Sequence, residues 1–170
     1  MDSGQHAGEH RPGIIRRFLN FIICIAIVLV AAWGIRAFVV EPFEVPSASM
    51  ETTIMTGDRL FAEKVSYHFS DPKPGDIVVF SDPQVPSRVL MKRVIATGGQ
   101  TVNLVNGYVY VDGVKQSEPY TQGLSYPLSK TANNVSISFP YTIPAGEVWV
   151  MGDNRENSSD SRYFGPIDSD

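Results

Sequence analysis

Two serines two positions apart, in Val45-Pro46-Ser47-Ala48-Ser49-Met50, are the first residues in this chain whose type and spacing could do chemistry. A hydroxyl becomes a useful nucleophile only when a nearby base takes its proton. Histidine is the common choice, but past residue 40 the sequence offers only His68, in Ser66-Tyr67-His68-Phe69-Ser70-Asp71-Pro72, a segment running into a turn. A lone histidine there is ordinarily just exposed, so a Ser-His-Asp triad is poorly supported. Lys92 is the better candidate. In Val89-Leu90-Met91-Lys92-Arg93-Val94-Ile95 a strand period puts Leu90, Lys92 and Val94 on one face, between apolar neighbours. Desolvation lowers a lysine pKa, and a drop of roughly two or three units from about 10.4, on the order of 3 to 4 kcal/mol, would let the amine act as a base. Lys64, Lys73, Lys115 and Lys130 lack so apolar a setting. A third segment, Met151-Gly152-Asp153-Asn154-Arg155-Glu156-Asn157-Ser158-Ser159-Asp160-Ser161-Arg162-Tyr163-Phe164-Gly165, reads plainly as a surface loop. Its acids, arginines and hydroxyls could also brace a catalytic amine through charge-assisted hydrogen bonds.

These residues need a scaffold, and the sequence divides into an anchor and a domain. From Phe18 to Ile35 there is no charged residue, and the apolar stretch runs on to Val40 if Arg36 lies at its end. A helix of that length reaches roughly 35 Å, against about 30 Å of bilayer hydrocarbon. Arg11, Arg16 and Arg17 precede the stretch and Glu41, Glu44 and Glu51 follow it, which puts residues 1–17 in the cytoplasm and residues 41–170 outside. A cleaved signal peptide is the competing reading, but its apolar core is usually about 7 to 15 residues, and no small-x-small cleavage site follows before Trp33.

The remainder is acidic and written in short strands. The predicted strands are 75–80, 88–95, 101–105, 108–111, 135–139 and 147–151, with hairpin turns at Asn106-Gly107 and Asp112-Gly113. No helical period of useful length appears, so the expected fold is mainly β, an antiparallel coiled or barrel-like sheet domain behind one transmembrane helix. Residues 116–134, rich in Pro, Tyr, Ser, Thr and Asn, read as an extended insertion. With 170 residues, 43% hydrophobic and 19% charged, one such domain plus an anchor accounts for the whole chain. A net charge of -4 argues against nucleic acid as a partner. The single cysteine, Cys24, excludes an intrachain disulfide, and no Cys or His pair has zinc-site spacing, so neither metal nor cofactor is expected.

Taken in order, these segments resemble the bacterial type I signal peptidases, membrane-bound Ser/Lys proteases that remove signal peptides from exported proteins. The resemblance runs from the anchor through Pro46-Ser47-Ala48-Ser49-Met50, Gly57-Asp58, Gly75-Asp76-Ile77-Val78-Val79-Phe80 and Met91-Lys92-Arg93-Val94-Ile95 to Gly152-Asp153-Asn154-Arg155 and Ser158-x-Asp160-Ser161-Arg162. It implies that Ser49 is the nucleophile and Lys92 its general base, with an acyl-enzyme intermediate. It further implies an oxyanion hole made by the Ser47 hydroxyl and the Ser49 backbone N–H, and a Ser158 hydroxyl that orients the lysine. By the same resemblance Arg93 with Asp153, and Asp160 with Arg162, are bracing ion pairs. Phe43, Val45, Pro46, Ile54, Leu60, Leu90 and Met91 would form shallow pockets for an Ala-x-Ala motif. The partners implied are the signal peptides of secreted pre-proteins and membrane lipid.

Three departures from the family pattern stand out. Glu51-Thr52-Thr53-Ile54 replaces x-Pro-Thr-Leu after Met50, losing a rigid residue. Ala96-Thr97-Gly98-Gly99-Gln100 replaces Gly-x-Pro-Gly-Asp after the lysine strand. The sequence reaches Asp170 where family members usually continue into another strand, so an uncovered sheet edge is expected. Two other readings stay open at this level: an anchored module that binds peptides by strand addition without cutting them, and a Ser/Lys self-cleaving protein of the SOS-repressor type.

Overall fold

The computed structural model describes residues 13–38, 40–63, 67 and 70–169. His68 lies outside the described residues. The chain divides into two compact units, Met1–Val40 and Glu41–Asp170. The first holds helix α1, Ile14–Phe38. It begins earlier than the apolar run, at Ile14, and the carbonyl of the preceding Gly13 accepts the N–H groups of Arg16 and Arg17, both good helix formers. Its stretch Ile14–Gly34 is long and apolar enough to cross a membrane. Side chains from several sides of the helix, including Phe18, Leu19, Ile27 and Trp33, are exposed.

Among its described residues the second unit holds three sheets, the two four-stranded ones antiparallel throughout. In chain order the strands are β1 (Val40–Glu44), β2 (Arg59–Glu63), β3 (Ile77–Ser81), β4 (Val89–Thr97), β5 (Thr101–Val105), β6 (Tyr108–Val111), β7 (Val114–Lys115), β8 (Tyr141–Thr142), β9 (Glu147–Met151) and β10 (Ile167–Asp168), with a short helix α2 (Ser161–Phe164) before β10. One sheet is the pair β1-β2, the central one runs β10-β9-β4-β3, and the third runs β7-β6-β5-β8. Both expected hairpin turns are present: Asn106-Gly107 joins β5 to β6 and Asp112-Gly113 joins β6 to β7, each with positive φ at both turn residues, as a two-residue type I′ loop requires.

Strand β4 organises the core. Its pairing with β9 shifts between Val94 and Ala96, a bulge that sends two consecutive side chains, Ile95 and Ala96, to one cluster with Val102, Val109, Ile143, Trp149 and Met151. Leu90 and Val94 join a second cluster with Val78, Val150 and Phe164, while Met91 joins a third with Val45 and Met50. One strand therefore reaches all three apolar clusters, and Lys92 sits in its middle.

One expected strand is absent. Residues 135–139 form no strand: Ile137 and Phe139 lie against the first cluster and Val135 against the second, so their alternation covers core without a sheet neighbour. At its start β9 is paired with β10, Ile167 opposite Val148. The 116–134 segment holds no helix or named strand and is attached to the domain: Ser125 and Ala132 are buried, and Gln122 exchanges backbone hydrogen bonds of 2.8 Å with both Asp153 and Arg155.

Candidate active site

Ser49 lies in a single 3-10 turn, Ala48–Met50. Met50, buried beside Val45 and Met91, pins the turn to the core. The chain after it folds back, with the N–H groups of Thr53 and Ile54 both 2.9 Å from the Met50 carbonyl. Opposite, Asn154 clamps the turn: its N–H donates to the Ser49 carbonyl at 3.0 Å and its Nδ2 to the Ala48 carbonyl at 3.2 Å. Ser49 is 7% exposed.

Lys92 comes to the same point from β4. Its Nζ donates to Ser49 Oγ at 2.7 Å and to the Met91 carbonyl at 2.8 Å, and the residue is 1% exposed. Burial removes water from the ammonium and draws its pKa from the ordinary lysine range down to about 8. The Arg88 charge pushes the same way, and the carboxylates of Asp160, Asp82 and Asp153 push back. Ser47 Oγ stands 3.3 Å from Ser49 Oγ, on the exposed side.

Behind the pair, the loop after β9 has little room. A Cβ on Gly152 would fall 2.5 Å from the Ser49 carbonyl oxygen and would also strike the Ser158 hydroxyl. Gly152 N–H donates to Asp160 Oδ2 at 3.1 Å. Asp160 caps α2 through the Arg162 N–H at 3.1 Å and takes the Arg162 guanidinium in a two-pronged contact, Nε and Nη2 both at 2.9 Å. Arg93 binds Asp153 in the same way, at 2.9 and 2.7 Å, and that carboxylate holds the Arg93 pKa above its usual value. Both ion pairs expected from the sequence are thus formed.

Residues 18–170 match the profile of the family described as signal peptidase, peptidase S26. The chain belongs to this family. It is 44% identical to a probable signal peptidase I-1 of Synechocystis over 82% of this chain and 70% of that protein. With a signal peptidase I of Leptolyngbya laminosa the identity is 40%, over 84% of this chain and 70% of that one. A crystal structure of a signal peptidase I from Enterococcus faecalis aligns with a TM-score of 0.44 at 32% identity, over 59% of this chain and 92% of that chain.

The remaining expectations from the signal peptidase resemblance are met unevenly. Ser158 is beside Gly152, but its buried Oγ has no hydrogen-bond partner among the described residues, and the Lys92 ammonium bonds Ser49 and Met91 instead. Phe43, Ile54, Leu60 and Met91 line one wall of a cleft of about 990 Å³. Val45 is buried under that wall, and Pro46 is exposed and off it. Leu90 is not in the cleft lining: neighbours on a strand face opposite ways, so Met91 takes the cleft side and Leu90 the second cluster.

Four residues of the site escaped the sequence reading. Thr53 Oγ1 donates to Asp153, which ties the loop behind the nucleophile one residue after Thr52, the position where the family pattern has proline. Asn154 clamps Ser49, and Arg155 lies buried behind it with Glu118 as its ion-pair partner at 2.6 Å. Thr53, Asn154 and Arg155 sit inside segments already singled out, but nothing local marks Glu118. In the turn after β4, the Gln100 side chain accepts the Thr97 N–H at 3.0 Å, while Gly98 lies so close to Pro144 that no side chain fits, so this turn is held firmly. Among the described residues no group of three His, Cys, Asp or Glu side chains could hold a metal.

Proposed function

We propose that this chain is a membrane-anchored serine endopeptidase that removes signal peptides from exported pre-proteins, cutting after Ala-x-Ala-like sites with a Ser/Lys dyad. The observation that carries the reading is the Lys92 Nζ to Ser49 Oγ contact of 2.7 Å, made by a buried amine whose pKa lies near 8. Membership of the signal peptidase family supports it.

In its neutral form Lys92 accepts the Ser49 hydroxyl proton as Oγ attacks the scissile carbonyl. The developing oxyanion is met by the Ser49 N–H and by the Ser47 hydroxyl. The Lys92 ammonium then protonates the leaving amine, which departs as the mature protein's new N-terminus. The signal peptide stays esterified to Ser49. Lys92, neutral again, takes a proton from water, which hydrolyses the ester and restores the hydroxyl. Ser158 is assigned as the lysine-orienting hydroxyl: its buried Oγ, beside Gly152, makes no hydrogen bond among the described residues that this role would have to displace. The apolar wall of Phe43, Ile54, Leu60 and Met91 would take the small side chains of the cleavage motif.

Residues 18–40 would form the anchor, with residues 1–17 cytoplasmic and the peptidase domain outside. Ser49 then follows the span by few residues, so the nucleophile stays near the outer surface where a signal peptide's cleavage site emerges. The test is cleavage of a purified pre-protein whose signal ends in Ala-x-Ala, in detergent. Wild type should cut at that bond, and Ser49→Ala and Lys92→Ala should not. Full activity in either variant, or an inert wild type, would overturn the assignment.

A further inference from the structure

The irregular segment between β7 and β8 makes its strongest contacts with the loop that backs the nucleophile. Arg155 is 2% exposed, and a cation that deep needs an anion. Glu118 supplies it in a two-pronged contact, Oε1 at 2.6 Å from Nη2 and Oε2 at 3.0 Å from Nη1, and Ser125 Oγ accepts a further bond from Nη1. This leaves Arg155 Nε to donate to the Gly152 carbonyl at 3.0 Å. The Gly152 backbone is therefore held from both sides, by Asp160 at its N–H and by Arg155 at its carbonyl, and Gly152 packs directly on the Ser49 carbonyl.

The same segment reaches the other half of the pair. The Tyr120 ring lies 4.0 Å from the Arg93 guanidinium, next in sequence to Lys92. The Tyr120 hydroxyl donates to Glu118 at 3.3 Å, and its pKa is pushed up to about 12 by burial and by that carboxylate, so it stays a donor. Gln122 adds a short parallel bridge to Asn154, the residue that clamps Ser49.

We propose that Glu118 is a positioning residue for the Ser49/Lys92 pair, acting through Arg155 and the Gly152 carbonyl, and that residues 118–125 form a strap rather than a passive insertion. This rests on the Ser/Lys reading above. The reasoning is mechanical: Gly152 has no slack against Ser49, so a carbonyl released on one side lets the nucleophile drift from Lys92. Misplacement by about 1 Å can reduce turnover roughly a hundredfold. The cleft wall of Phe43, Ile54, Leu60 and Met91 is built from other elements, so substrate binding should be spared.

The test uses the full chain in detergent with the Ala-x-Ala pre-protein, measuring kcat and KM separately, with thermal unfolding of each variant. Glu118→Gln should lower kcat by about tenfold or more with KM within about twofold. Arg155→Gln should lose at least as much, and the double variant should lose no more than Arg155→Gln alone, because both changes cut one chain of contacts. Ser125→Ala, which keeps every charge, should lower kcat by a smaller factor with KM again unmoved; it is the readout if the Glu118 variant does not fold. The proposal is overturned if folded Glu118→Gln keeps wild-type kcat, if only KM moves, if the two losses multiply, or if Ser125→Ala has wild-type kcat. Ser49→Ala runs alongside: cleavage by that variant sinks the Ser/Lys reading itself, whereas an inactive Ser49→Ala beside a fully active Glu118→Gln sinks only the strap.

Discussion

Replacing Lys92 by methionine should make the protein more stable and wholly inactive, and the gap in stability should close as the pH rises. The amine is drawn from the usual lysine value to about 8, a shift of about 2.5 units or roughly 3 kcal/mol between its two protonation states. Below pH 8 the lysine carries a proton in both folded and unfolded chains, and the folded state bears the whole penalty of a buried ammonium. Between pH 8 and about 10.4 the unfolded chain binds the proton and the folded one does not, so this group's contribution to stability rises with pH. Above that window both forms are neutral and the penalty is gone. The Lys92→Met advantage should thus be largest below pH 8, up to about 3 kcal/mol less the lost hydrogen bonds to Ser49 and Met91, and should vanish towards pH 10.4. For a domain of this size 3 kcal/mol corresponds to a rise in Tm of about 10 °C.

The same shift fixes the rate profile. At pH 7 an amine of pKa 8 is neutral in about 9% of molecules, against about 0.04% for an unperturbed lysine, a gain of roughly 200-fold in competent base. For wild type, kcat/KM should rise tenfold per pH unit up to a bend near 8. The assays are differential thermal unfolding of wild type and Lys92→Met from pH 6 to 10.5, and cleavage of the pre-protein from pH 5.5 to 9.5. Subtracting the two unfolding curves cancels every other titrating group. A Lys92→Met variant less stable than wild type at pH 6, a stability gap that does not change with pH, or a rate limb bending near 10 would each refute the desolvated-base argument.

Two further outcomes follow from the packing around the pair. Gly152→Ala places a methyl 2.5 Å from the Ser49 carbonyl oxygen, so kcat should drop by about a hundredfold with KM little changed, read from initial rates at saturating substrate. Arg93→Met leaves the Asp153 carboxylate, fully buried, with only the Thr53 hydroxyl as a side-chain donor; urea unfolding should show a loss of about 3 to 5 kcal/mol, far more than Thr53→Val causes.

What the sequence made legible was chiefly what local rules decide. Two adjacent turn residues with positive φ are written into Asn106-Gly107 and Asp112-Gly113, and both hairpins close there. The period of two around Lys92 predicted a desolvated amine, and the residue is buried, with burial lowering its pKa, while Leu90 and Val94 pack in the second cluster. The two-residue strands β7, β8 and β10 were invisible, since so short a ladder is set by the partner strand and not by its own residues. Val135, Ile137 and Phe139 misled for the opposite reason: alternation marks burial on one side, and here clusters rather than strands provide it. The bulge at Val94 and Ala96 and the Glu118–Arg155 pair depend on chain segments far apart, for which no local pattern exists. Ser158 was found by resemblance; it lies beside Gly152, and the hydrogen bond expected of it is absent among the described residues.

Ser49 is made early and equipped late. The amine proposed to activate it comes 43 residues downstream, and the amide side chain that holds its turn, on Asn154, reaches the Ala48 carbonyl across 106 residues. A ribosome that has released the serine has not yet released its clamp, so the emerging chain carries an ordinary hydroxyl. Contacts of such long sequence separation also form slowly, because the intervening chain must first be closed into a loop. Under the proposed mechanism, proteolytic competence is therefore a property of the finished tertiary structure and of no shorter segment of the chain.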